Sequence, residues 1–325
     1  MPVVCSCFFT KEDYMNLGID LGGSHIGVGL IEGYELKCTV DKFFSKEDRL
    51  DIENAILRNI DELIEKILNE NSINIENIER IGVASPGTVT DGKITSWNLG
   101  IKEFDLKTKL FEKYNLPVTV RNDGKCAALA EKKYGALKNY DDAVFVNIGT
   151  GVGGAAFIGG KLLEPKRFSG FEFGHMVIEK DGIECTCGKR GCFERYASIK
   201  SLKNRIVKRL HLEGQDISGQ TLREVIMVEH HDEVQDDIND FVNYLTVGIA
   251  NLIDIFEPEV VCFGGSFSYY ENHPVLKQFI EQINVPNSTF NKVAPKIVTA
   301  EFKNDAGIIG SVIDNLENKK PFLTV

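Results

Sequence analysis

The chain has 325 residues, 43% of them apolar and 26% charged, which is room for two ordinary domains and too well mixed for disorder or a coiled coil. A formal net charge of -11 argues against a large nucleic-acid footprint, and no apolar run approaches the roughly 20 residues of a membrane-spanning helix. Eight cysteines, with no basic n-region or cleavage site before the first strand, read as thiols of a cytoplasmic protein with neither membrane nor nucleic acid as partner.

Residues 1–15 read as a loose extension. From residue 16, "NLGID", "IGVGLI" and "ELKCTVDKFF" predict consecutive strands, with a glycine-rich turn after the first and Glu32–Gly33 as the turn before the third. Ile52, Ala55, Ile56, Ile60, Leu63, Ile64, Ile67 and Leu68 recur at helical spacing and predict a long amphipathic helix. "RIGVASPGTVTDGKITSW" predicts a strand, a loop and a hairpin at Asp91–Gly92, and "LPVTVRND" a strand ending in polar residues.

The second half repeats this order. "DAVFVNIG", "GGAAFIG" and "KLLEP" predict strands, and helical patterns occupy about 198–210 and 236–256. In the latter helix Ile238, Phe241, Leu245, Ile249, Leu252, Ile253 and Phe256 mark the buried stripe. "EPEVVCFGGS" and "PKIVTAEF" predict further strands, and "AGIIGSVIDNL" a closing helix with small residues on one face. Two βββαβ-type halves result, each with a glycine turn after its first strand, and the two turns are expected to face each other across a cleft.

Neither turn has the Walker or dinucleotide spacing, and either alone fits a tight hairpin as well as a phosphate cradle. The pair is more specific. Gly22, Gly23 and Ser24 follow Asp20 in the first, and Thr150, Gly151 and Gly153 stand at matching places in the second. Glycines let backbone N–H groups approach an anion that side chains would block, so two such turns predict one polyphosphate held from both sides.

Asn122 and Asp123 fall where a strand gives way to a helix. Asp123 lies near the helix N-terminus, where an aspartate most often serves as a cap, and in open α/β sheets a strand end is also the place for a ligand. His175, Cys185, Cys187 and Cys192 give H-x9-C-x-C-x4-C, the four N and S ligands of a tetrahedral zinc site, with Gly188 and Gly191 for the sharp turns. All four positions are filled, so the predicted Zn²⁺ is structural and pins a loop that carries Glu172, His175 and Glu194. Those two carboxylates and the second imidazole nitrogen make a polyol-binding set, and ordinary surface acids are the competing reading. Cys38, Cys126 and Cys262 lie singly in apolar or helical surroundings and read as small core residues.

With these residues assembled, the sequence resembles the ROK family of bacterial sugar kinases and sugar-sensing repressors over about residues 16–315. The resemblance rests on "GIDLGGSHIGVGL", "SPGTV", "WNLG", "RNDGKCAALAE", "NIGTGVGGAAFIGGKL", "EFGH", "CTCGKRGCFE" and "EPEVVCFGGS". It implies the actin-like, hexokinase-like ATPase fold (ribonuclease H-like): two α/β domains with the active site in the cleft. The first domain spans 16–121 and takes back a final helix at about 306–318. The second spans 122–305 and carries the zinc loop 175–192. Asp123 is implied as the general base, with Asn98, Asn122, Glu172, His175 and Glu194 on sugar hydroxyls. Gly264 and Gly265 are implied near the adenosine of ATP, Asp20 beside Mg²⁺, and a homodimer as the assembly.

The chain departs from the family pattern at Ser24–His25, in the tail of "SPGTVTDG" and at Phe171. These leave catalysis intact and bear on the sugar. The activity expected is phosphorylation of the 6-hydroxyl of a hexose, glucose first, with N-acetylmannosamine or N-acetylglucosamine as the alternative. A non-catalytic sugar sensor is the competing class. It is expected to carry an N-terminal helix-turn-helix, whereas fewer than twenty residues precede the first strand here. A third class is a zinc module that recruits a partner protein through "CTCGKRGC".

Overall fold

The computed structural model describes residues 15–33, 35–164, 171–284 and 294–313. They divide into two compact units. One runs to Ala130 and takes back residues 305–313; the other comprises residues 131–304. The division expected from the sequence, after residue 121, lies nine residues earlier, so Asn122 and Asp123, expected in the second domain, belong to the first unit, whose boundary falls inside the helix that follows them. The extension up to residue 14 and the end of the closing helix beyond residue 313 lie outside the described residues.

In the first unit β1 (Met15–Leu21), β2 (His25–Glu32) and β3 (Glu35–Phe43) form an antiparallel run. Helix α1 (Ile52–Glu70) leads to β4 (Ile78–Ser85), then to a three-stranded meander of β5 (Thr88–Thr90), β6 (Lys93–Ser96) and β7 (Ile101–Asp105). Helix α2 (Leu106–Tyr114), β8 (Val118–Asn122) and α3 (Asp123–Lys133) follow. The main sheet has the order β3-β2-β1-β4-β8, with β4 parallel to both β1 and β8. Asp91 and Gly92 both have positive φ, 51° and 83°, the backbone a two-residue type I′ hairpin needs between β5 and β6.

The period of two along β1 sorts its faces. Leu17, Ile19 and Leu21 are fully buried in one core with Ile56, Ile60, Leu63, Ile64 and Ile67 of α1. Burying each such side chain contributes about 1.5–3 kcal/mol. The alternate residue Gly18 meets the closing helix Ala306–Ser311, where a Cβ would lie 2.5 Å from the Ile308 carbonyl oxygen. Gly82 of β4 has the same relation to Ser311, with 2.3 Å to its carbonyl. Thr119 Oγ1 donates to the Ser311 carbonyl at 2.9 Å and Arg121 Nη1 to the Ile313 carbonyl at 2.7 Å. Glycines in the strands thus make room for this helix, Gly18 under Ile308 and Gly82 under the small residue Ser311.

The second unit contains β9 (Ala143–Ile148), β10 (Val152–Ile158) and β11 (Lys161–Leu162), then α4 (Glu194–Ala197) and α5 (Ile199–Arg209). Helix α6 (His231–Phe256), β12 (Val260–Gly264), α7 (Pro274–Ile283) and β13 (Lys296–Thr299) complete it. Its sheet is β11-β10-β9-β12-β13, antiparallel on the β10 side and parallel on the β12 side. Both sheets therefore have the strand order third, second, first, fourth, fifth with the same directions.

Helix α6 starts five residues before the predicted position (231 against 236). Val234 extends the buried stripe, and Asp232 and Glu233 place negative charge at the helix N-terminus. Cys126 and Cys262 are fully buried and Cys38 is half-buried. Among the described residues no helix is long and apolar enough to cross a membrane.

Candidate active-site residues and metal centre

In the first unit β1 stops at Leu21 and the chain reverses through Gly22, Gly23 and Ser24 into β2. The Gly22 amide donates to the His25 carbonyl at 2.9 Å, closing the turn. Gly23 and Ser24 are exposed, and a Cβ on Gly23 would meet nothing within 4 Å. Open space over exposed backbone suits an anion. Asp20 sits one residue before the strand end on the glycine face, near Gly307. Burial pushes its carboxyl above the usual range, and His25 partly offsets this. A cation beside it would reverse the shift, so Asp20 fits a Mg²⁺ partner.

Asn122 ends β8 and Asp123 begins α3. Asn122 Oδ1 accepts from the Lys125 amide at 3.3 Å, the capping contact, while its Nδ2 donates to the Gly87 carbonyl at 3.0 Å. Asp123 Oδ1 accepts from the Gly124 amide at 2.8 Å. Both side chains thus accept from amides of the first helical turn, Asn122 three residues on and Asp123 from its neighbour. Gly87 in turn is pressed on the β6 backbone, where a Cβ would lie 2.3 Å from the Thr95 carbonyl. Asn98 lies in the 3₁₀ turn Trp97–Leu99, directly after β6.

In the second unit β9 turns into β10 through Gly149, Thr150 and Gly151. The Gly149 amide donates to the Gly151 carbonyl at 3.0 Å, and the Lys200 amide donates to the Gly149 carbonyl at 3.2 Å. At Gly151 a Cβ would lie 2.7 Å from Glu194 Oε2, so this glycine makes room for that carboxylate. Gly153 faces open space. Gly264 ends β12 against the Phe145 ring, and Gly265, with φ of 64°, lies against Asn147 and Ile148.

The four predicted metal ligands do converge. His175 Nδ1 and the sulfurs of Cys185, Cys187 and Cys192 all lie within 4.8 Å of one another. His175 Nδ1 to Cys185 Sγ is 3.6 Å, as is Cys187 Sγ to Cys192 Sγ. A tetrahedron with Zn–S of about 2.3 Å has edges of about 3.8 Å, so the donors match zinc in type and these two separations are close to its edges. The loop is fixed by backbone bonds of its own: Cys185 N to Lys189 O at 2.8 Å, Gly188 N to Cys185 O at 3.0 Å and Gly191 N to Ile183 O at 2.8 Å. Gly188 and Gly191 are left-handed, with φ of 87° and 76°. Burial raises the Cys185 thiol and pushes Cys192 up to about 12, while hydrogen bonds and Lys189 outweigh burial and lower Cys187.

Around this cluster Glu194 opens α4, its Oε1 3.2 Å from Cys185 Sγ and 3.7 Å from His175 Nδ1. The imidazole presents Nδ1 to the cluster, which leaves Nε2 for another partner. Glu172 is exposed and its carbonyl accepts from the His175 amide at 3.0 Å. By unit, the predicted residues divide as Asp20, the first turn, Asn98, Asn122 and Asp123 in one, and the second turn, Glu172, His175, Glu194, Gly264 and Gly265 in the other. One contact had no local signal in the sequence. Arg49 Nη2 donates to the Gly23 carbonyl at 2.6 Å, across a separation of 26 residues.

The ROK family pattern matches residues 16–314. The chain is 32% identical to a xylose repressor of Bacillus subtilis over 274 residues, 82% of this chain and 68% of the repressor. It is 30% identical to a glucokinase of Halalkalibacterium halodurans over 321 residues, 92% of this chain and 94% of the enzyme. Among solved structures, the ROK hexokinase of Thermus thermophilus superposes with a TM-score of 0.74 at 26% identity, covering 91% of this chain and 96% of that one. Match, identity and the shared two-domain hexokinase-type architecture agree, and the chain belongs to the ROK family.

Proposed function

We propose that the protein is an ATP-dependent hexose kinase that phosphorylates the 6-hydroxyl of glucose, with Asp123 as general base. The carrying observation is the strand–helix junction at Asn122 and Asp123, where the cap contact is made by Asn122 and a carboxylate stands beside it at a strand end. Phosphoryl transfer asks a protein chiefly to align and to neutralise charge. Asp123 accepts the proton of the attacking hydroxyl. Asn98, Asn122, Glu172, His175 through Nε2, and Glu194 bind the remaining hydroxyls, since acids accept and amides and imidazole donate. Backbone amides of the two glycine turns, with the Ser24 and Thr150 hydroxyls, receive the phosphates, and Gly264 and Gly265 leave space by the adenosine. When bound, Mg²⁺ neutralises phosphate charge and is placed by Asp20. Structural zinc on His175, Cys185, Cys187 and Cys192 holds the sugar-binding loop in register.

A second reading is favoured by the 32% identity to a xylose repressor: a sugar sensor on the same scaffold. ATP-dependent ADP release across glucose, fructose, mannose, N-acetylglucosamine, N-acetylmannosamine and xylose separates the two. Turnover with glucose, lost in Asp123→Asn, is the expected result. Sugar binding without ADP release in the unmutated protein would establish the sensor, and preference for an N-acetylated sugar would reassign the substrate.

A further inference from the structure

We propose that Arg49 is a phosphate-contacting residue of the first glycine turn, supplying a fixed positive charge that backbone amides cannot. This rests on the kinase reading above, which assigns nucleotide phosphates to that turn. Arg49 lies in the 3₁₀ turn Asp48–Leu50, between β3 and α1. Its Nη2 donates to the Gly23 carbonyl at 2.6 Å, and its guanidinium carbon lies 5.1 Å from the centroid of the Phe44 ring. The Phe44 amide donates to the Ser24 carbonyl at 2.9 Å. The segment that carries Arg49 is therefore tied to the turn at two of its residues, and the long side chain is held by stacking as well as by a hydrogen bond.

Among the described residues no carboxylate pairs with Arg49, and the adjacent Asp48 is engaged by Arg58 and by the Ser45 amide at 2.8 Å. Guanidinium offers five N–H donors in a planar fork, and the brace on Gly23 uses one group of them. Arg49 is exposed, as are Gly23 and Ser24, and the space over Gly23 is open. A chain of net charge -11 repels a triphosphate at long range, so an unpaired cation at the turn changes both encounter and hold.

Calorimetric titration of the full chain with Mg·ATP, and with inorganic triphosphate, tests this on unmutated protein, Arg49→Gln and Arg49→Ala. Glutamine keeps a donor for the Gly23 carbonyl and removes the charge. Both variants are expected to weaken ATP and triphosphate binding by about tenfold or more, with the Tm of Arg49→Gln unchanged. Arg49→Gln binding ATP as tightly as the unmutated protein would overturn the proposal and reduce Arg49 to a brace for the turn. ATP binding that is sensitive to Arg49 without turnover of any sugar would remove the kinase reading and leave the phosphate contact standing. Unmutated protein that binds neither ATP nor triphosphate would overturn both.

Discussion

The two sheets share one strand order and one set of directions, yet their glycine turns are built differently. In the first, Gly23 stands under open space and a cation from a distant segment braces its carbonyl. In the second, Gly151 is pressed by Glu194 and the Gly149 carbonyl is taken by the Lys200 amide. The same local device is left open in one unit and locked in the other. The locked turn shares Glu194 with the metal cluster, so its shape depends on that loop, whereas the open turn depends on no metal ligand.

Substitution tests that contrast. The largest effect is expected in the first unit: Asp123→Asn lowers kcat by about 10²–10⁴-fold, with sugar affinity within a few-fold of the unmutated protein by calorimetry. A variant that retains kcat would remove Asp123 as base. Next, Cys187→Ser is expected to release the metal, lower Tm and raise KM for the sugar together, read by metal analysis, calorimetry and kinetics. Full metal content with unchanged Tm would refute the zinc assignment and uncouple the second turn from it.

Smaller effects sharpen the difference between the turns themselves. Gly151→Ala places a methyl 2.7 Å from Glu194 Oε2 and is expected to displace that carboxylate, raising sugar KM about tenfold. Gly23→Ala meets nothing within 4 Å, and its stability is expected to stay within about 0.5 kcal/mol. Equal Tm losses in the two variants would erase the distinction drawn here.

The smallest effect concerns pH. His273 caps α7 by accepting from the Val275 amide at 3.2 Å, and burial holds its imidazole below the usual 6.5. As pH falls through 6.5 the unfolded chain protonates first, so stability present at neutral pH is lost. The first unit caps α2 with Asp105 instead, whose carboxyl the Thr108 amide holds below its usual 3.8. Its loss on acidification therefore begins some units lower. Thermal melts between pH 5 and 7 are expected to slope less in His273→Asn than in the unmutated chain, and equal slopes would rule the imidazole out as the source.

Much of this was legible because it is local. The α1 stripe, the Asp91–Gly92 hairpin and the spacing of His175, Cys185, Cys187 and Cys192 each need only a short window of sequence. The early start of α6 was missed because Asp232 and Glu233 mask the apolar period, though they suit a helix N-terminus. The capping contact of Asn122 with the Lys125 amide had no signal of its own, because the aspartate beside it suits a helix N-terminus equally well. The Arg49 contact lay beyond any window, since nothing in an Asp-Arg-Leu triplet announces a glycine 26 positions earlier.

The closing helix has a consequence for biosynthesis. Gly18 and Gly82 are shaped for Ile308 and Ser311, which emerge only after residues 131–304 of the second unit have been translated. The first unit's sheet therefore waits with a glycine-lined groove uncovered while residues 131–304 can already assemble. Nascent-chain proteolysis is expected to show the second unit acquiring resistance before the first.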